Sequence, residues 1–249
     1  TIKHIISLQQ RKYRQKFGEY TVEGIRAVTD IGKKDFLRSI LIRESKRSEL
    51  EPLVQKGFTV SSVYVVQDPI FDKIEHSVNG QGILGIAKKC VNDLHSLIVE
   101  DGLYVALDGV QDPGNLGTII RTAVAAGAKG IFLLKGTVDP YNEKCVRSTM
   151  SALCNIPIFE DVTLSEFYDF IKDNTIKTYV TSLENAKPYH TISYPKRTMI
   201  ILGNEGNGVS REIIEMCDQA ITIPMYGDIE SLNVSIAAAL CMYKVREQI

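Results

Sequence analysis

In the second half of the chain, short apolar runs alternate with stretches of helical spacing. Apolar runs at residues 103–107, 130–134, 156–159, 178–182, 198–202 and 220–224 predict strands. Residues 116–126, 142–152, 164–174, 210–217 and 232–246 carry the three-to-four-residue spacing of helices. Strands that are apolar throughout and joined by crossover helices predict a mostly parallel sheet covered on both faces. The first half alternates less cleanly. The segment beginning Thr21-Val-Glu-Gly-Ile-Arg-Ala-Val reads as the start of a helix, residues 39–43 as a strand and residues 49–56 as a helix. Residues 62–66 fit a strand or a helix start, and residues 83–87 fit a strand. Periodicity fades over residues 88–96, which reads as a linker. The expectation is a small N-terminal α/β domain over residues 1–95 and a larger α/β domain over residues 96–249.

Composition narrows the classes. At 249 residues with 44% hydrophobic and 24% charged residues, the chain can bury a sizeable core and is not disordered. Its longest apolar stretches, such as Met199-Ile-Ile-Leu202 and Ile236-Ala-Ala-Ala-Leu240, are far too short to span a membrane as a helix. The N-terminal Thr1-Ile-Lys-His-Ile-Ile lacks the pattern of a secretory signal. Five scattered cysteines, with no CxxC and no histidine at ligand spacing, argue against zinc and against a disulfide framework. Most of them read as small buried hydrophobes in a cytoplasmic protein.

Charge adds a partner class. The net charge of −1 conceals twelve Lys/Arg against five Asp/Glu in residues 1–47, and seventeen against twenty-five in the rest. Within the basic part, Gln9-Gln-Arg-Lys-Tyr-Arg-Gln-Lys-Phe17 interleaves cations, amides and aromatics. Arg11, Lys12, Arg14 and Lys16 are candidate phosphate contacts, and Tyr13 or Phe17 can stack on a base. The alternative is a solvated helix face with its aromatics turned inward.

Ligands of parallel sheets gather beyond the carboxyl ends of the strands, so the loops there matter most. Three carry unusual residues. In Leu107-Asp-Gly-Val-Gln-Asp-Pro-Gly-Asn-Leu-Gly-Thr-Ile-Ile-Arg-Thr-Ala123, Pro113-Gly114 turns the chain and Asn115 is placed to cap the next helix. Arg121 lies off the apolar face formed by Leu116, Ile120 and Val124, beside Gly117, Thr118 and Ala125, with room for something to approach. In Thr198-Met-Ile-Ile-Leu-Gly-Asn-Glu-Gly-Asn-Gly-Val-Ser210, the glycines allow close backbone approach, and Glu205 needs a partner if it is buried. In the third loop, Ser231 reads as an N-cap for a helix that is apolar or small nearly all round and so deeply packed, with Asn233 in its first turn. None of these glycines forms the GxGxxG fingerprint, which argues against a dinucleotide-binding Rossmann enzyme.

Asn115-Leu-Gly-Thr-Ile-Ile-Arg-Thr-Ala123, Leu202-Gly-Asn-Glu-Gly-Asn-Gly208, and Ile223-Pro-Met with Ser231-Leu-Asn-Val-Ser235 resemble, in this order, the three signature motifs of the SpoU (TrmH-like) RNA ribose 2'-O-methyltransferases. The resemblance covers roughly residues 100–249. It implies a SPOUT parallel sheet whose C-terminal segment forms a trefoil knot, bound S-adenosylmethionine, and a homodimer with its active site near the subunit interface. It places the cofactor near Leu183, Gly203, Asn204, Gly208, Ile223, Pro224 and Leu232. Arg121, Asn115, Glu205, Ser231 and Asn233 become the catalytic set. The N-terminal domain resembles, more weakly, the RNA-binding domain appended to such enzymes.

Methyl transfer from a sulfonium needs an in-line oxygen and a water-poor site, so positioning dominates. Arginine side chains stay protonated, which favours Arg121 as a fork that holds the ribose or its phosphate and stabilises developing oxyanion charge over Arg121 as a simple base. The substrate expectation is rRNA, with tRNA second. The competing reading is a non-catalytic RNA-binding or ribosome-assembly protein on the same fold. No metal is expected.

Overall fold

Val105-Ala-Leu107 and Ile200-Ile-Leu202 have no polar position, a pattern that only a strand covered on both faces tolerates. In the computed structural model, which describes residues 2–49, 52, 60–75, 77 and 80–249, these runs are neighbouring parallel strands at the centre of a sheet. The fold divides into two units, one of residues 1–90 with 140–154, the other of residues 91–139 with 155–249.

The first unit holds a four-stranded mixed sheet of β1 (Glu19–Glu23), β2 (Leu37–Arg43), β3 (Ser62–Val66) and β4 (Ile83–Lys88), in the order β1-β4-β2-β3. Strands β1 and β2 run antiparallel to β4, and β3 runs parallel to β2. Helices α1 (Ile2–Leu8), α2 (Arg11–Phe17), α3 (Ile25–Gly32) and α4 (Asp68–Phe71) join them. Ile5 and Leu8 of α1 pack with Leu41, Phe71, Ile74 and Leu84 in a core of their own. The helix expected to begin at Thr21 starts later: Thr21 and Val22 pair with Ile86 and Gly85. Gly24, at φ 92°, breaks the strand before α3 begins. Residues 62–66 resolve as a strand. The helix expected over residues 49–56 falls mostly outside the described residues; Glu49 itself ends a 3₁₀ turn.

The second unit is a seven-stranded sheet in which every pairing is parallel. Its strands are β5 (Gly102–Asp108), β6 (Gly130–Leu134), β7 (Ile158–Val162), β8 (Lys177–Thr181), β9 (Lys187–Pro188), β10 (Arg197–Gly203) and β11 (Gln219–Thr222), ordered β7-β6-β5-β10-β8-β11-β9. The late strand β10 lies between β5 and β8. Tyr104, Ala106, Met199 and Ile201 meet Phe167 and Phe170 of α7 (Leu164–Asp173) on one face. Helices α5 (Pro113–Ala125) and α9 (Val234–Arg246) pack on each other, and α9 also packs on β5 and β10. The remaining helix, α8 (Arg211–Met216), precedes β11.

Residues 140–154 follow β6 in sequence yet pack with the first unit, where α6 (Glu143–Ser148) lies against β1. The helix expected over 142–152 stops early because Met150 and Ser151 adopt positive φ angles of 49° and 73°. The stretch read as a linker contains a 3₁₀ turn, Leu94–Ser96, and Leu94, Leu97 and Val99 pack against the second unit's core. The first unit carries eighteen Lys/Arg against eleven Asp/Glu, the second eleven against nineteen. No helix among the described residues is long and apolar enough to cross a membrane.

Candidate active site

Strands β5 and β10 end side by side, Leu107 opposite Leu202 and Asp108 opposite Gly203, so the loops that follow them must share space. Their backbones are tied together. The Asp108 carboxylate accepts a hydrogen bond from the Ser210 backbone amide at 2.7 Å, and the Asn204 side chain donates through Nδ2 to the Gly109 carbonyl at 2.8 Å. Asn204 Oδ1 accepts from the Gly206 and Asn207 amides, and Asn204 and Gly208 exchange two backbone hydrogen bonds. The loop therefore folds back on its own strand. A Cβ at Gly203 would sit 2.1 Å from the Gly208 carbonyl carbon, so only glycine fits there. The Asn204 side chain and backbone are both spent on holding this turn.

The carboxylate of Glu205 reaches back to the other loop. It accepts from Asn115 Nδ2 at 3.0 Å and from the amides of Gln111 and Asp112 at 3.1 and 3.2 Å. Partial desolvation raises its pKa, but these donors outweigh it and hold the carboxyl below its ordinary value. Glu205 is thus an exposed but fully engaged anion, suited to anchoring rather than to accepting a proton.

Asn115 does not cap its helix. Asp112 is the N-cap of α5, accepting from the Asn115 amide at 2.8 Å, with Pro113 opening the first turn. This leaves the Asn115 side chain free to bridge: it donates to Glu205 and accepts from Asn233 Nδ2 at 3.0 Å. Ser231 is not the cap of α9 either. Asn233 takes that role, accepting from the Ser235 amide and hydroxyl at 2.9 and 2.6 Å, and Ser231 is exposed upstream. The outcome is a continuous polar relay, Glu205–Asn115–Asn233–Ser235, joining the ends of β5 and β10 to the start of α9.

Beside it, the chain leaving β11 shapes a cavity of about 370 Å³ lined by Ile223, Pro224, Met225, Tyr226, Gly227 and Leu232, with Tyr189, His190, Ile229 and Leu240. Of the expected cofactor contacts, Ile223, Pro224 and Leu232 line it. Gly203, Asn204 and Gly208 do not, and Leu183 is 82% exposed outside it. Arg121 is exposed on α5, about 9 Å along the helix axis beyond Asn115. It makes no hydrogen bond or ion pair with any described residue, so its guanidinium is uncommitted.

Besides the two caps, two further expectations are corrected. Helix α9 is not deeply packed all round: Ser235, Ala238, Cys241, Met242 and Val245 are buried, but Ile236, Leu240 and Tyr243 form an exposed apolar stripe. Arg14 is only 3% exposed and donates to the carbonyls of Leu8 and Gln9 at 2.7 and 2.8 Å, which removes it from the phosphate-facing group. Arg11, Lys12 and Lys16 remain exposed on α2, with Lys12 and Lys16 over the rings of Tyr13 and Phe17. Gln111 was not singled out from the sequence. Its side chain donates to the Gly109 and Gly136 carbonyls, bracing the Glu205 anchor.

Residues 102–243 match a model of the SpoU rRNA Methylase family, and residues 1–85 match a model of the MRM3-like substrate binding domain. The chain is 33% identical over 242 residues to the 23S rRNA (guanosine(2553)-2'-O)-methyltransferase RlmP of Bacillus subtilis, spanning 96% of this chain and 93% of that one. An AdoMet-bound rRNA methyltransferase from Sinorhizobium meliloti superposes with a TM-score of 0.87 at 30% identity, over 100% of this chain and 94% of that one. The SpoU methyltransferase AviRb from Streptomyces viridochromogenes, at 24% identity, shares the fold with a TM-score of 0.90 over 99% and 97% of the two chains. With its three loop motifs joined by one polar relay beside a ligand-sized cavity, the chain belongs to the SpoU rRNA methylase family.

Proposed function

We propose that this protein transfers the methyl group of S-adenosylmethionine to a ribose 2'-hydroxyl in rRNA. The observation that carries the reading is the relay Glu205–Asn115–Asn233 set beside the β11 cavity, within a chain of the SpoU family. The cavity fits the donor: it is of small-molecule size and its walls are mainly apolar. Asp228 and Glu230, on the same loop, add negative charge suited to a sulfonium. Ile223, Pro224, Leu232 and the neighbouring backbone would hold the cofactor, with Gly203 and Gly208 letting the β10 loop approach. When bound, the cofactor supplies an electrophilic methyl group.

The chain's own residues position the other reactant. Asn115, fixed between Glu205 and Asn233, holds the loop that faces the ribose. Arg121, with no internal partner, is available to fork onto the ribose or its phosphate and to stabilise charge on the attacking oxygen. Orienting two bound reactants contributes up to ~7–11 kcal/mol when the geometry is a near-attack arrangement. Ser231, exposed two residues before the cap of α9, is available to the same substrate. The basic first unit, through Arg11, Lys12 and Lys16, binds RNA phosphates, as its match to a substrate-binding domain supports.

The order of β5, β10, β8 and β11 is compatible with a C-terminal trefoil knot. The exposed stripe Ile236, Leu240 and Tyr243 fits a second copy of the chain, giving a cytoplasmic homodimer. A dimer in light scattering that Ile236→Asp with Tyr243→Asp converts to monomer is expected; a wild-type monomer rejects the assembly. The function is tested by incubating the protein with methyl-labelled donor and, in parallel reactions, 23S rRNA or tRNA, then hydrolysing in alkali. A 2'-O-methyl ribose cannot attack its own phosphate, so label in an alkali-resistant dinucleotide is the expected result. RNA binding without transfer selects the non-catalytic alternative, and label in tRNA alone moves the substrate class.

A further inference from the structure

The first unit contains a second chemically unusual cluster. Cys90, at the end of its main segment, and Cys154, at the end of the returning segment, meet with their sulfurs 3.0 Å apart although 64 residues separate them. Both are only half-buried, and the Cys90 thiol donates to Cys154. Two tyrosines frame the pair. Tyr20 Oη lies 3.5 Å from Cys154 Sγ, and the Tyr141 hydroxyl donates to the Cys90 carbonyl while accepting from the Cys90 amide. Their rings pack 4.8 Å apart. Lys34 Nζ donates to the Cys154 carbonyl at 3.0 Å, and Lys89 lies over the Tyr141 ring.

We propose that Cys90 and Cys154 form a reversible dithiol switch, with Cys154 the peroxide-reactive sulfur and Cys90 the resolving one. Cys154 thiolate attacks one peroxide oxygen; the S–O bond forms as the O–O bond breaks, and hydroxide leaves to become water. Cys90 sulfur then attacks the sulfenic sulfur, forming S–S as S–O breaks, and the departing oxygen leaves as a second water. Two thiols thereby give two electrons and two protons to one peroxide. Dithiol exchange returns both thiols.

The environment assigns the order of events. The Cys90 hydrogen bond lowers the Cys154 pKa to about 7 against the penalty of burial, and Tyr20 and Lys34 act in the same direction. Burial, and next the charge on Cys154, raise the Tyr20 pKa well above normal, so its phenol keeps its proton and can donate. The Cys90 pKa is raised, first by its hydrogen bond to Cys154. Converting Cys154 to a neutral sulfenic acid removes that restraint, which frees Cys90 to act second. Burial raises the pKa values of Cys217 and Cys241 to about 12, and Cys145 is buried; these three are internal controls. The resulting bond would tie the end of the 1–90 segment to the end of the 140–154 segment, the two passages of chain that build this unit.

The test is hydrogen peroxide treatment of the full-length protein, followed by non-reducing peptide mapping. The expected product is a single Cys90–Cys154 linked peptide pair, reversed by dithiothreitol, with the other three cysteines still alkylatable. In Cys90→Ser, where no resolving thiol remains, dimedone should label Cys154 after peroxide treatment. Separate alkylation of Cys90 and Cys154 after peroxide overturns the proposal. So does a disulfide to any other cysteine, or absence of the dimedone adduct in folded Cys90→Ser.

Discussion

Asn233 Nδ2 donates to Asn115 Oδ1 at 3.0 Å across 118 residues of sequence, joining the cap of α9 to the first turn of α5. The same asparagine oxygen that caps α9 accepts from both the amide and the hydroxyl of Ser235. Replacing Asn233 with Ala therefore removes a cap worth ~1 kcal/mol and takes the donor away from Asn115 Oδ1, while Asn115 keeps its bond to Glu205. The two losses separate in a double-mutant cycle. Asn115→Ala and Asn233→Ala should each lower methyl transfer, and the double variant should lose less than the product of the two effects. Strict multiplicativity would show that the contact does not couple the loops in catalysis.

The Glu205 carboxyl is held below its ordinary pKa by donors it has only in the folded protein. Its stabilisation is thus present above the usual glutamate range and lost as pH falls through the lower folded value. Glu205→Gln should have a lower Tm than wild type at neutral pH. The gap should narrow as pH drops from about 5 to about 3. A gap independent of pH would mean that the negative charge is not what these donors recognise.

A methyl group at Gly203 collides with backbone at Gly208 and Val209, atoms that cannot swing aside. Gly203→Ala should open the β10 turn and cost at least tenfold in S-adenosylmethionine affinity, read by calorimetry. Gly206→Ala, where a Cβ meets only Asn204 Oδ1 at 3.5 Å, is the matched control and should bind within about twofold of wild type. Equal affinities for wild type and Gly203→Ala would place the cofactor away from this loop.

Arg11, Lys12 and Lys16 are exposed whereas Arg14 is buried and bonded to the Leu8 and Gln9 carbonyls, so the two groups should fail differently. Replacing the exposed three with Ala should weaken RNA binding and flatten its dependence on salt by roughly 0.7 in log–log slope per lost contact on single strands. Arg14→Ala should instead lower thermal stability, leaving the slope of the surviving folded protein unchanged. An altered slope in Arg14→Ala alone would reverse the assignment.

The strands of the second unit were legible because their apolar runs have no helical alternative of adequate length, and all six expected strands exist within a few residues of their predicted bounds. The three motif loops were legible as chemistry, and the structure joins two of their asparagines through one hydrogen bond. The caps were misplaced for a specific reason: Ser231 and Asn115 have capping side chains, but Asp112 before Pro113 and Asn233 before Val234 won the positions. An Asp-Pro pair at a strand-to-helix turn was the available signal. Arg14 and the outer stripe of α9 were not readable, because burial of one arginine in a basic run and exposure of one face of an apolar helix are set by tertiary neighbours. The 140–154 segment escaped for the same reason: chain order places it after β6, while packing places it with the first unit.

Single-turnover methyl transfer by Arg121→Ala, measured together with donor and RNA affinities, tests the central claim most directly. Arg121 has no structural partner among the described residues, so the variant should fold normally and bind S-adenosylmethionine within about twofold of wild type. Its transfer rate at saturation should fall about 10²–10³-fold, the scale expected for losing a donor to transition-state charge. A rate near that of wild type would contradict the role assigned to this arginine.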